Sequence, residues 1–469
     1  MRKNTLLFGL ILGICASVFG EDPPVQRWVE RYDYGGQDSA AAMAIDSSGN
    51  IYVTGGSEFI GYYDYATIKY DPNGNQLWVA RYGFYEDAGA VALALDKNGN
   101  IYVTGSEYIG NHRNDYATLK YDTNGNQLWV AYYNGGGDAA TALAVDNSGN
   151  VYVTGYSDNG YPDYVSDYAT VKYDTNGNQL WVARYNGPGN GDDFPYALAV
   201  DSSGNVYVTG TSLGTSYPGS FDYATVKYDT NGNQLWVARY NGPAVNQQDN
   251  AYDLKVDLSG NVYVTGGSVS ASLNRDYATV KYNTDGNELW VARYNYKGFD
   301  DEAYALALDN AGNVYVTGTS YFDFGATHYA TIKYNTNGQQ LWVARSNTGS
   351  YATELALDSS GNVYVTGSTS VLGVLIATIK YGPDGNELWV KEFNTYPIHP
   401  SANALAVDNF GNVYVAGGSY IYSENIFVDY FTIKYTQHDY CISPDIGDFN
   451  NDCKVDFADF AILAANWLE

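Results

Sequence analysis

Cysteine is scarce in this chain, with 3 residues among 469. Cys15 lies in the apolar segment near the N-terminus, whereas Cys441 and Cys453 lie close to the C-terminus. The long stretch between Cys15 and Cys441 therefore cannot be cross-linked by disulfides, and packing must stabilise it.

Basic residues are also few, since 24 Lys and Arg stand against 52 Asp and Glu and the formal net charge is −28. Nucleic-acid binding depends on Lys and Arg that displace counterions from phosphates. A surface this acidic repels phosphates, so nucleic acid is excluded as a partner. The same charge opposes self-association and favours solubility.

Histidine is limited to four scattered positions, His112, His328, His399 and His438. Their spacing does not suit a zinc site, and the sequence has no serine nucleophile elbow. Catalysis therefore has little support from the sequence. Carboxylates are numerous, however, so a glycosidase pair among them remains open.

Long apolar runs are missing except near the N-terminus, where Arg2 and Lys3 precede the stretch from Leu6 to Val18. This stretch is too short for a membrane span, and the pattern is typical of a signal peptide over residues 1–20. We expect a secreted protein, extracellular or at the cell surface, with no membrane span. In an exported chain, Cys441 and Cys453 predict one local disulfide.

A unit of roughly fifty residues recurs along the chain, as in "ALAVDNSGNVYVTG…DYATVKYDTNGNQLWVARY" over residues 142–185. Each unit divides into four short strand-like runs separated by Gly, Asn and Asp, which is the pattern of a propeller blade. Three of these runs occur eight times each, but the first Trp-containing run, around Trp28, precedes the first complete unit. The sequence therefore predicts an all-β, eight-bladed propeller over residues 21–436, in which this N-terminal strand (Trp28 to Tyr32) pairs with Phe431 to Tyr435 and closes the last blade.

Within each blade, the Ala-rich first run suits the narrow centre of a ring, and the Trp of the fourth run suits the wide outer gap. The short segments "DxSGN" and "DTNGN" resemble calcium loops, but their length and flanking strands favour hairpin turns. The lysines of the third strand and the arginines of the fourth recur in most blades. We expect both to be part of the scaffold and to pair with nearby carboxylates.

The alternating strand direction places both tight turns on one face and the variable connections on the other. Variable loops on a rigid scaffold are where function usually lies, and these loops are rich in Tyr, Ser, Gly and Asn. Such composition suits a glycan or a protein ligand. A candidate ligand site on this face consists of acids that recur in five blades, namely Asp38, Asp138, Asp193, Asp249 and Asp301. They would bind a cation or sugar hydroxyls, or else terminate loops by accepting backbone amides.

The tail over residues 437–469 has the ligand spacing of a calcium loop followed by a helix. The predicted calcium ligands are the side chains of Asp448, Asn450, Asp452, Asp456 and Asp459 and the backbone carbonyl of Lys454. Calcium is the only cofactor that the sequence predicts.

This tail resembles the loop-helix half of a type I dockerin, of which only one of the two usual segments is present. The resemblance implies an EF-hand-like loop-helix that docks onto a cohesin-like or cell-surface partner. The body, with "AxALAVDxxGNVYVTGxS…DYATIKYDxNGNxLW" nearly throughout, resembles the bacterial SBBP-type β-propeller repeat, which is related to NHL repeats. That resemblance implies the fold more than any function.

The sequence thus favours a secreted, non-catalytic binding or surface-assembly propeller with a calcium-binding tail. One alternative is a carbohydrate-active enzyme, a glycoside hydrolase or lyase, or an accessory protein in polysaccharide degradation. A minor alternative is a quinoprotein-like dehydrogenase, which eight blades with outer tryptophans suggest, although adjacent cysteines over the cofactor are missing.

Overall fold

A computed structural model describes residues 23–83, 88–109, 113–158, 160, 164–215, 219–244, 246–323, 326–369, 375–394, 399–421 and 426–437. The predicted signal peptide (1–20), the calcium loop with its helix and the Cys441–Cys453 disulfide all lie outside the described residues.

The described chain forms 32 strands, numbered in chain order, that divide into four classes by position in the repeat. The first strands are β2 (Asp38–Ile45), β6 (Ala88–Leu95), β10 (Asp138–Val145), β14 (Asp193–Val200), β18 (Asp249–Val256), β22 (Asp301–Leu308), β26 (Tyr351–Leu357) and β30 (His399–Val407). The second strands are β3 (Ile51–Phe59), β7 (Ile101–Tyr108), β11 (Val151–Asp158), β15 (Val206–Leu213), β19 (Val262–Val269), β23 (Val314–Asp323), β27 (Val363–Ser368) and β31 (Val413–Ile421).

The third strands are β4 (Tyr62–Tyr70), β8 (Asn114–Tyr121), β12 (Ser166–Tyr173), β16 (Phe221–Tyr228), β20 (Arg275–Tyr282), β24 (Ala326–Tyr334), β28 (Ile376–Tyr381) and β32 (Ile426–Thr436). The fourth strands are β5 (Gln76–Tyr82), β9 (Gln127–Tyr133), β13 (Gln179–Tyr185), β17 (Gln234–Tyr240), β21 (Glu288–Tyr294), β25 (Gln340–Ser346), β29 (Glu387–Phe393) and β1 (Val25–Tyr32).

These strands form eight antiparallel blades of four strands, numbered here by the order of their first strands. Six blades are separate four-stranded sheets, and blades 1 and 8 are joined into one sheet by a single pairing of Ser39 with Gly418. Neighbouring first strands contact each other in an unbroken circle, which closes between β30 and β2. The first strands therefore line a central channel, and the prediction of an eight-bladed propeller is confirmed.

The tight turns form because an Asp binds its own hairpin. The carboxylate of Asp46 accepts hydrogen bonds from the Ser48 and Asn50 amides at 2.9 Å each and from Tyr52 Oη at 3.1 Å. Gly49 supplies the positive φ, at 79°, that this turn requires. Burial alone would raise the pKa of Asp46, but these hydrogen bonds hold it below its usual value. The carboxylate is thus occupied by its own turn.

We call the face with these turns the turn face and the opposite one the loop face. Each first strand begins at the loop face, at the end of the linker from the preceding blade, and runs to the turn face. Because strand direction alternates, the connections between second and third strands also lie on the loop face.

The N-terminal strand closes the ring as predicted. β1 pairs antiparallel with β32, with Trp28 opposite Lys434 and Tyr32 opposite Tyr430. Trp28 Nε1 donates to the carbonyl of Pro72 in blade 1 at 3.3 Å, and Lys434 Nζ donates to the same oxygen at 2.8 Å. The two ends of the chain therefore complete blade 8 together and bind it to blade 1.

The same contact joins the other blades. Lys69 Nζ and Trp78 Nε1 of blade 1 both donate to the Thr123 carbonyl in the turn of blade 2, each at 3.1 Å. We call this arrangement the turn-carbonyl link. At the junction of blades 7 and 8 the acceptor is the side-chain oxygen of Gln437, at 3.2 Å from both donors. The expectation that the third-strand lysines pair with carboxylates is wrong, because these side chains extend across the junction to the neighbouring turn.

The core is divided into eight apolar clusters, each at a junction between blades. Between blades 1 and 2, Tyr52 and Tyr65 pack against Ile101 and Val103, and all four are fully buried. Trp78 borders this cluster, with its ring centroid 6.1 Å from that of Tyr52. Stability therefore depends on contacts between successive blades around the whole ring.

We predict that deleting residues 23–32 lowers the melting temperature, because it exposes the edge of β32 and removes the tryptophan donor of one turn-carbonyl link. The substitution Trp28→Ala leaves the strand in place, removes the indole donor and its ring packing, and should cost about 3–5 kcal/mol. Thermal unfolding followed by circular dichroism measures both, and Trp181→Ala, within the uninterrupted part of the ring, is the matched control. An unchanged melting temperature in the deletion variant would contradict this account of closure.

Candidate functional site

The five acids predicted as a loop-face site lie at the starts of five first strands and are buried. Each accepts a backbone amide of the linker before it: Asp38 from Tyr34 (3.0 Å), Asp138 from Gly135 (2.7 Å), Asp193 from Gly187 (2.5 Å), Asp249 from Gly242 (2.7 Å) and Asp301 from Tyr296 (2.7 Å). Burial raises the pKa of Asp38 to about 6 and that of Asp301 to about 7. A ligand would have to displace the linker amides to reach these carboxylates, so a ligand role stays a prediction.

A second repeated cluster lies beside them, around the fourth-strand arginine. In blade 1, Arg81 donates to Asp64 at 2.8 Å, to Ser57 Oγ at 2.7 Å and to Tyr32 Oη of blade 8 at 2.8 Å. The equivalent ion pairs are Arg31–Asp429, Arg184–Asp167, Arg239–Asp222 and Arg293–Asp276. The arginine part of the scaffold prediction is thus correct for these five blades, and in blades 1, 3, 4 and 5 the arginine also binds a tyrosine hydroxyl of the previous blade.

Three blades depart from this arrangement. In blade 2, Tyr132 stands at the position of Arg81, and burial together with the Asp138 charge raises the pKa of Asp115 to about 6. In blade 6, His328 stands at the position of Asp64, and Nη2 of Arg345 is buried without a partner among the described residues. In blade 7, Leu375 and Glu392 stand at the positions of Asp64 and Arg81.

The channel wall contains the differences between blades that bear most directly on function. At the position of Ala42, six blades have Ala, whereas blade 5 has Asp253 and blade 7 has Glu354. At the position of Ala44, seven blades have Ala and blade 5 has Lys255. We call Asp253, Lys255 and Glu354 the lumen cluster.

Asp253 and Lys255 form a tight pair. Lys255 Nζ donates to Oδ1 of Asp253 at 2.8 Å and to Oδ2 at 3.0 Å. Backbone amides of Leu254 and of Leu306, in blade 6, also donate to this carboxylate, at 2.7 and 2.8 Å. The side chain of Lys255 is 46 % exposed although protein surrounds it on all sides, which is the environment of a solvent-filled lumen.

Glu354 reaches the same lumen from blade 7. Burial, and next the Asp253 charge, raise the pKa of Glu354 to about 7, although Lys255 and the Leu355 amide oppose the shift. Burial lowers the pKa of Lys255, but the carboxylates of Asp253 and Glu354 raise it by more, and the net shift is upward. Lys255 therefore remains charged, whereas Glu354 exchanges its proton near neutral pH.

Three tyrosines line the mouth of the channel, closer to the loop face than the lumen cluster is. Tyr196, Tyr252 and Tyr304 occupy the β-bulge of the first strand in blades 4, 5 and 6. Their ring centroids are 5.6 and 5.4 Å apart in succession, and 40 % of Tyr196 is exposed. We call these three residues the tyrosine arc.

Polar groups border the tyrosine arc. Glu302 accepts hydrogen bonds from Tyr252 Oη and Tyr304 Oη, each at 2.9 Å, and from Arg275 Nη1 at 2.7 Å. Beyond them lies Tyr351, which is 42 % exposed. In blades 8, 1, 2 and 3 the bulge positions hold the smaller residues Asn403, Ala41, Val91 and Thr141. The mouth is therefore aromatic and charged on one side only.

Sequence reasoning missed the tyrosine arc and the lumen cluster, because it searched the loops and treated the first strands as uniform. The signal is present in the sequence: "AYDLKV" over residues 251–256 and "ATELAL" over residues 352–357 interrupt a run of alanines. An alignment of the eight first strands would have revealed the tyrosine arc and the lumen cluster.

A polar cavity of about 350 Å³ lies on the turn face between blades 4 and 5, lined among others by Asp201, Lys227 and Asp257. Equivalent residues recur at most junctions, so this cavity belongs to the repeat. Within the described ranges, no group of three or more His, Cys, Asp or Glu side chains could hold a metal ion. That same part of the chain contains no helix long and apolar enough to cross a membrane.

Four segments of the chain, residues 128–162, 180–218, 289–325 and 342–372, match the SBBP beta-propeller repeat. These four segments are SBBP propeller repeats. Each matched segment begins in a fourth strand and runs through the first and second strands of the next blade. The SBBP unit thus spans a junction between blades, where the core clusters lie.

A curated relative is an uncharacterized WD repeat-containing protein of Acanthamoeba polyphaga mimivirus, which is 24% identical over 235 residues. The alignment covers 39% of this chain and 16% of that protein, so the chain spans about a sixth of its relative's length.

Among solved structures, Sqt1 from Chaetomium thermophilum superposes with a TM-score of 0.53 at 10% identity, over 86% of this chain and 99% of that one. The polysaccharide lyase Uly1 superposes with a TM-score of 0.44 at 12% identity, over 74% of this chain and 89% of that one. At this identity the likeness to Sqt1 shows the propeller fold alone.

We predict that His328→Asp gives Arg345 the Asp partner seen in five other blades and stabilises the protein by about 1–3 kcal/mol, because it satisfies a buried guanidinium N–H. Burial, then the Arg345 charge, hold the pKa of His328 below its usual value of 6.5. The wild type therefore loses stability as pH falls below 6.5, and the gain should be larger at pH 5 than at pH 7.5.

Thermal melts at both pH values measure this gain. His328→Asn is the matched control, since it accepts a hydrogen bond without a charge and should give a smaller gain. A lower melting temperature for His328→Asp at both pH values would contradict the pairing.

Proposed function

We propose that this protein is a secreted carbohydrate-binding propeller that takes up a neutral glycan at the loop-face mouth of its channel. The observation that carries the proposal is the tyrosine arc with Glu302 and Arg275 at its border.

The rings of the arc suit the apolar faces of sugars. Tyr combines a large apolar surface with a polar hydroxyl, and such residues line binding sites together with a few fixed polar groups. The partly exposed rings of Tyr196, Tyr252 and Tyr304 form a curved surface across three blades. A glycan chain of several units could contact each ring in turn.

Glu302 and Arg275 supply the polar part of the site. Glu302 fixes the hydroxyls of Tyr252 and Tyr304 and the Arg275 guanidinium, so these groups are held in place before a ligand arrives. Arg has five N–H donors, which match the hydroxyl oxygens on the rim of a sugar ring. Preorganised polar groups reduce the entropy cost of binding.

Charge favours a neutral glycan over an anionic one. The chain carries a net charge of −28, and the positive Arg275 is already paired with Glu302. An anionic polysaccharide would be repelled by the field of the whole protein.

The alternative, a polysaccharide-active enzyme, is favoured by one observation in the lumen cluster. A carboxyl group with a pKa near 7 beside a lysine is typical of acid-base catalysis, and Glu354 fits that description. Asp253 is fully occupied, however, so the cluster offers one free carboxyl group and not the pair that glycosidases use.

For the C-terminal tail we propose calcium binding by Asp448, Asn450, Asp452, Asp456 and Asp459 with the Lys454 carbonyl, and attachment to a cohesin-like or cell-surface partner. The spacing of hard oxygen ligands supports the metal. Cys441 and Cys453 would form a disulfide close to this loop, as expected for an exported chain.

We predict that Tyr252→Ala weakens the binding of a neutral polysaccharide about tenfold, which corresponds to about 1.4 kcal/mol. Calorimetry on a panel of neutral and anionic polysaccharides, with reducing-sugar release measured in parallel, checks affinity and activity together. Tyr62→Ala removes a tyrosine that is also exposed on the loop face, in blade 1, and should leave affinity unchanged. Release of reducing sugar by the wild type would favour the enzyme instead.

We further predict that the full chain binds one Ca²⁺ and that the double substitution Asp448→Ala with Asp459→Ala abolishes this binding. Calorimetric titration gives the stoichiometry. Asp71→Ala is the control, because this turn carboxylate binds its own hairpin and should hold no ion. Equal stoichiometry in the wild type and the double variant would refute the tail site.

A further inference from the structure

The lumen cluster differs from every other part of the channel wall, and the scaffold does not need its charged side chains. At its three positions the other blades have Ala and form the same strands with the same register. Charged groups lose solvation when protein surrounds them, and a buried ion pair is weak evidence for stability. Three charges at positions where Ala suffices therefore indicate a role other than folding.

The cluster lies directly below the tyrosine arc. Tyr252 and Asp253 are consecutive, and Lys255 is three residues beyond Tyr252, or about 10 Å deeper at ~3.3 Å per residue. A ligand held at the arc would thus extend its end into the lumen.

We propose that the lumen cluster is a terminal subsite, which binds two neighbouring hydroxyls of the last sugar of a glycan chain. This inference rests on the proposed function and adds to it: the protein recognises chain ends and not internal segments.

The hydrogen-bonding groups of the cluster match such a diol. An ammonium group has three N–H donors, and Asp253 takes two of those of Lys255, so one donor is left for the lumen. One oxygen of Glu354 accepts the Leu355 amide at 3.1 Å, and no bond of its other oxygen is seen within the described ranges. Lys255 would donate to one hydroxyl of the sugar, and Glu354 would accept from the next.

The channel wall between Lys255 and Glu354 leaves room for a ligand. Glu354 lies in blade 7 and Lys255 in blade 5, and the intervening blade 6 presents Ala305 and Ala307 at the corresponding positions. Asp253 is fixed by the Leu254 and Leu306 amides, so it holds Lys255 in place without needing the ligand.

The test compares glycan oligomers with free ends against the same oligomers with one end modified, either reduced to the alditol or blocked at the non-reducing end. We expect one of the two modifications to weaken binding to the wild type at least tenfold. The key variant carries Asp253→Ala, Lys255→Ala and Glu354→Ala together, which gives blades 5 and 7 the residues of their neighbours. It should fold with an unchanged or higher melting temperature, bind free-ended oligomers at least tenfold more weakly, and no longer distinguish modified ends.

The outcomes separate the two proposals. If the wild type binds no glycan, the proposed function fails. Three results together would overturn only the terminal subsite. The wild type would bind modified and free ends equally, the triple variant would bind as tightly as the wild type, and Tyr252→Ala would still weaken binding. A triple variant that does not fold would show that the cluster is structural and would also overturn it. Glu354→Met keeps a side chain of similar length, removes the acceptor oxygens and should retain the fold while losing end selectivity.

Discussion

At seven of the eight junctions, one main-chain oxygen in a tight turn accepts hydrogen bonds from both the lysine and the tryptophan of the preceding blade, and the ring depends on this contact. Thr123 receives them from Lys69 and Trp78, and Pro72 from Lys434 and Trp28. The contact fixes each blade relative to the next at the wide outer edge, while small alanines allow the inner strands to approach one another. A gap in this circle would leave one blade interface unsatisfied, so the N-terminal strand is indispensable although it is far from its partner in sequence.

A repeated scaffold also gives a standard against which each position can be judged. A residue that all eight copies share is explained by the structure of the blade. The Asp that binds its own hairpin is an example. Where one copy carries a charge and the others carry Ala, packing does not explain it. Lys255 is such a residue, and its surroundings in the channel impose a solvation cost that the other blades avoid. The side of the channel formed by blades 4 to 7 has therefore diverged from the scaffold, while the opposite side has kept small residues.

The fold could be predicted in detail from the sequence, because period, strand class and the displaced Trp28 run are all visible in one chain. The hydrogen-bond partners of the third-strand lysines could not be predicted, because the reach of Lys69 across a junction depends on the angle between blades. That Asp38 and its equivalents accept backbone amides was one of the two alternatives drawn from the sequence. Which linker amide donates to each could not be predicted, because the paths of the linkers are not encoded in any local pattern. The candidate site was missed for a different reason: it consists of single-residue exceptions on strands that otherwise read as uniform scaffold.

The position of the chain ends has a consequence for how the molecule would be displayed. β1 begins and β32 ends on the turn face, so residues 1–22 and 438–469 are joined to the disc on the side opposite the tyrosine arc. A protein held through either end would therefore point its channel mouth away from the point of attachment. If the protein is anchored through an end and binds its ligand at the mouth as proposed, the two contacts would lie on opposite faces of the disc and would not obstruct each other.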